Sequence, residues 1–178
     1  EDILVRISVH NRGPETARLH LLPTLWFRNT WSWKKGAPKP NLREANGAIE
    51  ARHPELGSCT LFCEGSAELL FTENESNAQR LWGQPNGSSW VKDAFHRHVV
   101  AGEAGAVNPA RTGTKAAARY VLDVPARGAA VVGSVPGRAS PSLPSKLWTR
   151  LRAALRRSPY RGRGGRRAGG YDSGARHP

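Results

Sequence analysis

"ILVRISV", Ile3 to Val9, is the stretch on which the fold turns. Its apolar residues Ile3, Val5, Ile7 and Val9 alternate with Arg6 and Ser8. A period of two sends one set of side chains to each face, so this segment reads as a half-buried strand. The "NRGPE" that follows (11–15) carries turn chemistry: Asn for a local side-chain bond, Gly for positive φ, Pro to fix φ. Working outward, "TARLHLLP" (16–23) and "TLWFRNTWSW" (24–33) read as two more strands. Others are expected at "AIEARH" (48–53), "CTLFCE" (59–64), "AELLFTE" (67–73), "HRHVVAG" (96–102), "RYVLDVP" (119–125) and "AAVVGSV" (129–135). "KKGAPKPNLREANG" (34–47) is rich in Pro, Gly and charge and reads as a long surface loop. No convincing helix precedes residue 140, although 90–96 could form one turn. Many short strands punctuated by turns predict an all-β fold, a partial antiparallel β-sandwich over residues 1–135.

A chain of 178 residues suits one domain. It has no apolar run approaching the ~18 residues of a membrane span, which predicts a soluble protein without a membrane span; a cytoplasmic location is expected. It contains no methionine, so position 1 reads as a strand entered midway, and an upstream targeting signal would not be visible. With upstream strands missing, unpaired sheet edges are expected.

The formal charge of +13 is unevenly placed. Residues 1–125 hold 15 Lys and Arg against 13 acids, whereas residues 126–178 hold 12 against Asp172 alone. Basic character therefore belongs to the end of the chain and the body is almost neutral. Residues 136–144 have a linker composition. In 145–157, Leu147, Trp148, Leu151, Ala154 and Leu155 would share one helical face opposite Lys146, Arg150, Arg156 and Arg157, with Ser145 as cap. Residues 158–178 read as a disordered basic tail. The tail admits a functional reading, as a non-specific binder of RNA, DNA or an anionic membrane surface. It also admits a plain one, a GC-rich gene translated out of frame, and the abrupt loss of acids fits that better.

Candidate chemistry in the body is sparse. His53, Cys59, Cys63, His96 and His98 could be assembled into a metal site on paper, but the C-x3-C spacing is not a usual zinc knuckle and core or half-buried cysteines are the simpler reading. No metal and no cofactor is expected. The sequons at 74–76 and 86–88 are short patterns that arise by chance. Among the carboxylates Glu64, Glu73, Glu75 and Asp93, the pair Glu73 and Glu75 would share a strand face, too close to flank a sugar. No catalytic residue is assigned.

Four blocks together carry a resemblance: "DILVRISVHNRGPE" (2–15), "LHLLPTLWFRNTWSW" (19–33), "ELLFTENESNAQRLWG" (68–83) and "AVNPARTGTKAAARY" (106–120). Over residues 2–125 the chain resembles the amino-terminal β-sandwich region of bacterial proteins of glycoside hydrolase family 63, the processing α-glucosidase and mannosylglycerate hydrolase-like enzymes. That resemblance implies a longer parent whose (α/α)6 barrel carries an inverting general acid and base. The barrel is absent here, and the family pattern stops near residue 126, where the charge balance also breaks.

Three functions then compete. The chain is a non-catalytic sandwich fragment of an α-glucosidase-like enzyme partnered by its missing barrel, a free-standing carbohydrate-binding module for an α-linked sugar, or a basic nucleic-acid or membrane-surface binder with no specific nucleic-acid target. The residues expected to face a sugar or a neighbouring domain are Trp26, Arg28, Asn29, Trp31 and Trp33, with Asn74, Arg80 and Trp82 from a second polar and aromatic block. Trp31 and Trp33 are expected on one strand face with Phe27, and Trp26 and Arg28 on the other. The plain alternative, that one face is simply sandwich core, suits Phe27 better than Trp33.

Overall fold

A computed structural model describes residues 3–137 as two antiparallel sheets packed face to face. The linker beyond Gly137, the helix expected at 145–157 and the tail at 158–178 lie outside the described residues. The strands are β1 (Val5–His10), β2 (Ala17–Leu21), β3 (Thr24–Trp26), β4 (Asn41–Ala45), β5 (Ala48–His53), β6 (Gly57–Cys63), β7 (Glu68–Thr72), β8 (Thr112–Gly113), β9 (Lys115–Val124) and β10 (Ala129–Gly137). The larger sheet runs β1-β10-β6-β5-β4-β8, and in the smaller one β9 is flanked by β2 and β3 on one side and by β7 on the other.

From Val5 onward the alternation does what the sequence predicts, whereas Ile3 lies before β1 and is exposed. Val5, Ile7 and Val9 are half-buried, and Arg6, Ser8 and His10 are exposed. β2 and β3 are one edge strand in a single register, because Leu21 faces Tyr120 and Thr24 faces Ala117. Pro23 interrupts it. Its carbonyl accepts from the Ala118 amide at 3.0 Å, but its ring has no N–H to return, a loss tolerated at a sheet edge. Among the described residues β1 and this 17–26 segment are each paired on one side only, so both sheets end in an open edge.

Leu42, Ile49, Ala51 and Leu61 of the larger sheet close on Phe71 and Ala116 of the smaller to form the main core. Ala118, Tyr120 and Val132 extend it. The two layers are also joined covalently. Residues 112–113 pair with β4 in the larger sheet, and from Lys115 the same chain enters the smaller one. Gly113 sits at that corner, where a Cβ would lie 2.3 Å from the Thr72 carbonyl oxygen. Only glycine allows the two backbones to approach so closely.

Four expectations are corrected. The expected loop at 34–47 contains β4, joined to β5 by a tight turn in which Asn46 (φ 52°) and Gly47 (φ 75°) are both left-handed. Asn-Gly is the usual sequence for that turn, and it lay masked among charges and prolines. The "TLWFRNTWSW" strand stops at Trp26. Phe27 makes a last rung to the Thr114 carbonyl at 3.4 Å, after which its partner chain has turned off to the other sheet. Trp31–Trp33 form a 3-10 turn instead, so Trp31 and Trp33 do not share a strand face with Phe27. The expected strand at 96–102 is helical: α2 spans Ala94–Val100 and lays Phe95 and Val99 on Leu70 and Ala117, covering the outer face of the smaller sheet. Finally, α1 (Ala78–Trp82) precedes it as a single short helix, capped by Asn77, whose side chain accepts from the Arg80 amide, and ended by the left-handed Gly83.

The core carries a pH signature. Burial, then the neighbouring Cys63 and Glu64, push the Tyr120 phenol up to about 12. The unfolded chain loses that proton near the ordinary value of 10.0, so above it the unfolded state binds fewer protons than the folded one. This contribution to stability is complete below pH 10 and is lost as pH rises toward 12. Thermal melting across that range should show a shallower alkaline decline for Tyr120→Phe than for the parent chain. A parallel decline would show that the phenol is not responsible.

Candidate functional site

Where β7 ends, the chain continues as Glu73, Asn74 and Glu75, and the segment from 27 to 40 folds over it. Thr114, at the corner between the sheets and fully buried, organises the contact. Its hydroxyl accepts from the Asn74 amide at 2.8 Å and donates to Glu73 Oε2 at 2.7 Å. Asn74 Nδ2 donates to the Phe27 carbonyl at 2.7 Å, which fixes the chain where it leaves the sheet. Lys39 Nζ lies 3.0 Å from Glu73 Oε2 and 3.3 Å from Glu75 Oε1, so one ammonium serves both carboxylates. Burial lowers the proton affinity of Lys39, and its bonds to Glu73 and Glu75 outweigh that and hold it above its usual range. Trp31 Nε1 donates to Glu75 Oε1 at 3.2 Å. The two polar and aromatic blocks of the sequence therefore meet.

Around this knot the expected site residues divide. Asn74 is buried and its side chain is committed to Phe27. Trp31 is half-buried behind its bond to Glu75, and the Asn29 side-chain oxygen, Oδ1, is shut from solvent without a hydrogen-bond partner among the described residues. Trp26, Trp33 and Trp82 are instead 54%, 68% and 64% exposed. Trp26 ends β3 opposite Lys115, whose ammonium sits 4.7 Å from the Phe95 ring centre. The Arg28 guanidinium lies over the Trp33 ring, 4.8 Å from its centre. Such cation–π contacts steady a ring that water otherwise surrounds.

Arg80 and Trp82 belong to a second neighbourhood, on α1 and the loop after it. Asp93 accepts from Asn77 Nδ2 at 3.1 Å and pairs with Arg80 Nη1 at 3.3 Å. Asn86 bonds Asn77 Oδ1 at 3.1 Å and accepts from the Gln79 amide at 3.1 Å, which ties the loop back to the helix. Between α1, this loop and α2 lies an open cleft of about 720 Å³. Sequence reasoning named Arg80 but missed the cleft, because a pocket formed by residues 77–97 shows only once α1 and α2 are helices.

The carboxylates offer no facing pair. Glu73 and Glu75 share Lys39 on one side of the strand extension, and Asp93 is held by Asn77 and Arg80. The thiols of Cys59 and Cys63 are free; Cys63 is half-buried as expected, but Cys59 is exposed, where nothing in the described residues covers the start of β6. Among the described residues no three His, Cys, Asp or Glu side chains converge on one point.

Comparison with known proteins finds one much longer relative. The chain is 36% identical over 143 residues to "Uncharacterized protein YMR196W" of Saccharomyces cerevisiae. The match takes in 65% of this chain and 13% of that protein. The chain therefore spans about one-eighth of the relative's length. No family model matches, and no solved structure matches. Among the described residues no helix is long and apolar enough to cross a membrane.

Proposed function

We propose that the sandwich is the non-catalytic unit of a larger carbohydrate-active enzyme, an α-glucosidase-like glycoside hydrolase, and that it seats a separate (α/α)6 catalytic barrel. The observation that carries this reading is the exposure of Trp26, Trp33 and Trp82, each more than half open to solvent. An aromatic side chain of this size buries roughly 150–250 Å² when covered, and tryptophan and arginine dominate the energetic centres of protein interfaces. Arg28 laid on Trp33 and Arg80 on the helix of Trp82 supply that pairing. The short share of a much longer relative supports a unit that works beside other domains. The four sequence blocks that resemble glycoside hydrolase family 63 name the enzyme class.

A free-standing carbohydrate-binding module would need bare ring faces, and Arg28 covers one face of Trp33. The nucleic-acid reading rests on residues beyond Gly137, outside the described ones. A cytoplasmic location accords with free thiols and with the first sequon, whose Asn74 is buried and bonded.

The experiment compares this chain with a longer polypeptide that includes the neighbouring domain, using acrylamide quenching of tryptophan fluorescence. Single Trp→Phe variants assign the signals of Trp26, Trp33 and Trp82. Quenching of these three is expected to fall severalfold in the longer protein while half-buried Trp31 and Trp90 change little. Equal quenching in both proteins would contradict a docking surface.

A further inference from the structure

At one end of the sandwich two turns with an Arg-Gly pair meet, "NRG" (11–13) after β1 and "PARG" (125–128) between β9 and β10. The Asn11 amide donates to the Gly128 carbonyl at 3.0 Å, and the Arg127 amide donates to the Gly13 carbonyl at 3.3 Å. Asn11 Nδ2 reaches the Val124 carbonyl at 3.0 Å, while its Oδ1 accepts from the Gly13 amide at 2.9 Å. The Gly128 amide closes its own turn on the Pro125 carbonyl at 2.9 Å. Both turns are therefore fixed at the backbone. They leave an open pocket of about 330 Å³ lined by His10, Asn11, Arg12, Arg127 and Gly128, at the small end of the range for ligand sites.

No carboxylate lines this pocket. Elsewhere the chain matches its arginines: Arg18, Arg43, Arg80, Arg97, Arg111 and Arg119 each hold an Asp or Glu. Among the described residues Arg12 and Arg127 hold none, and Asp123, close by in sequence, is already gripped by Arg18 at 2.8 Å. Two cations on one concave surface repel each other unless an anion sits between them. The backbone points the same way. Arg127 stands at φ 56°, in the left-handed region that glycine enters freely and a longer side chain only at a cost. Glycine would build this turn with less strain, so what residue 127 adds is its guanidinium.

A guanidinium presents a planar fork of N–H donors that matches the oxygens of phosphates and carboxylates. A carboxylate brings one negative charge to two arginines, whereas a phosphate monoester carries about −1.5 to −2 at neutral pH. Its three terminal oxygens also offer an acceptor to each guanidinium and to an N–H of the His10 imidazole. No Trp, Tyr or Phe ring lines the pocket, so the base of a nucleotide would find nothing to stack on. We infer that this pocket binds a phosphate group, free or at the end of a small phosphate monoester, through Arg12 and Arg127 with His10 beside them. The site goes beyond the docking reading and does not depend on it.

The test titrates the full 178-residue chain, labelled with nitrogen-15, with inorganic phosphate, glycerol 3-phosphate and acetate, at an ionic strength held constant with chloride. Saturable shifts are expected at the amides of Arg12, Gly13, Arg127 and Gly128 with the two phosphates and not with acetate. The tighter of the two phosphates tells free ion from ester. Arg127→Gly removes the guanidinium and suits the left-handed backbone. It should weaken phosphate binding about tenfold or more, the effect of losing a charge-assisted hydrogen bond, with the melting temperature unchanged or raised. Arg12→Gln, at an exposed position, should weaken it similarly. Shifts confined to residues beyond Gly137 would overturn the assignment, because the basic residues there attract any anion. So would an equal response to acetate, no saturable shift at these four amides, or variants that both bind phosphate as tightly as the parent.

Discussion

Replacing Phe71 with alanine is expected to destabilise the sandwich by about 3–5 kcal/mol, the range for truncating a buried aromatic ring. Phe71 is fully buried on β7 and bridges the layers, touching Leu42, Ile49, Ala51 and Leu61 of the larger sheet. Its neighbour in the smaller sheet, Ala116, is too small to swing into the space the ring would leave. The cavity therefore stays, and its cost adds to the lost burial. Domains of this size have roughly 5–15 kcal/mol in all, so the variant should be largely unfolded at modest urea concentration. Val131→Ala, on an exposed strand position, should shift the urea midpoint by no more than about 0.5 kcal/mol equivalent. Similar losses in both variants would mean that the core is not centred on Phe71.

That core was legible in outline. Val5, Ile7 and Val9 alternate as a half-buried strand must, and "ELLFT" and "RYVLDV" announce themselves by β-branched and aromatic content. The Asn46-Gly47 turn was equally legible by its chemistry, yet the prolines and charges around it read as loop. α2 was not. In "AFHRHVV" the β-branched ending favours a strand, and only the surface of Leu70 and Ala117 beneath Phe95 and Val99 selects the helix. The strand that should have carried Trp31 and Trp33 ends for a reason far away in sequence, since its partner leaves for the other sheet at Thr114.

The candidate site was legible to a smaller degree, because its contacts are long-range. Glu73 and Glu75 sharing a face follows from strand periodicity, but nothing local announces that Lys39 reaches both of them. The same holds for the buried role of Asn74, whose partner is a backbone carbonyl 47 positions away. The exposed tryptophans are a partial case. The blocks that named Trp26, Trp33 and Trp82 also named Trp31, and only the fold decides that Trp31 is half-buried behind Glu75.

The second large effect concerns catalysis, where the expected result is complete silence. Inverting hydrolysis needs a protonated carboxylic acid at the leaving oxygen and a carboxylate holding water across the ring, about 6.5–9.5 Å away. Here Lys39 stands between Glu73 and Glu75, within 3.3 Å of an oxygen of each, so no sugar ring can lie between them. Asp93 is engaged by Asn77 and Arg80 and has no carboxylate opposite it across the cleft. Enzymes of this kind owe rate enhancements of at least about 10⁶ to their catalytic groups, and binding a sugar without proton transfer recovers little of that. Hydrolysis should accordingly be absent from this chain, and the proposed function adds that it should be present when an (α/α)6 barrel is joined to it.

The direct measurement is turnover of a panel of α-glucosides and α-mannosides, mannosylglycerate included, by the purified chain and by the same chain joined to its neighbouring domain. The sandwich alone is predicted to release no sugar above the uncatalysed rate, with turnover appearing in the joined protein. Turnover by the sandwich alone that disappears in Glu73→Gln or Asp93→Asn would contradict the account and place the active site within these two sheets.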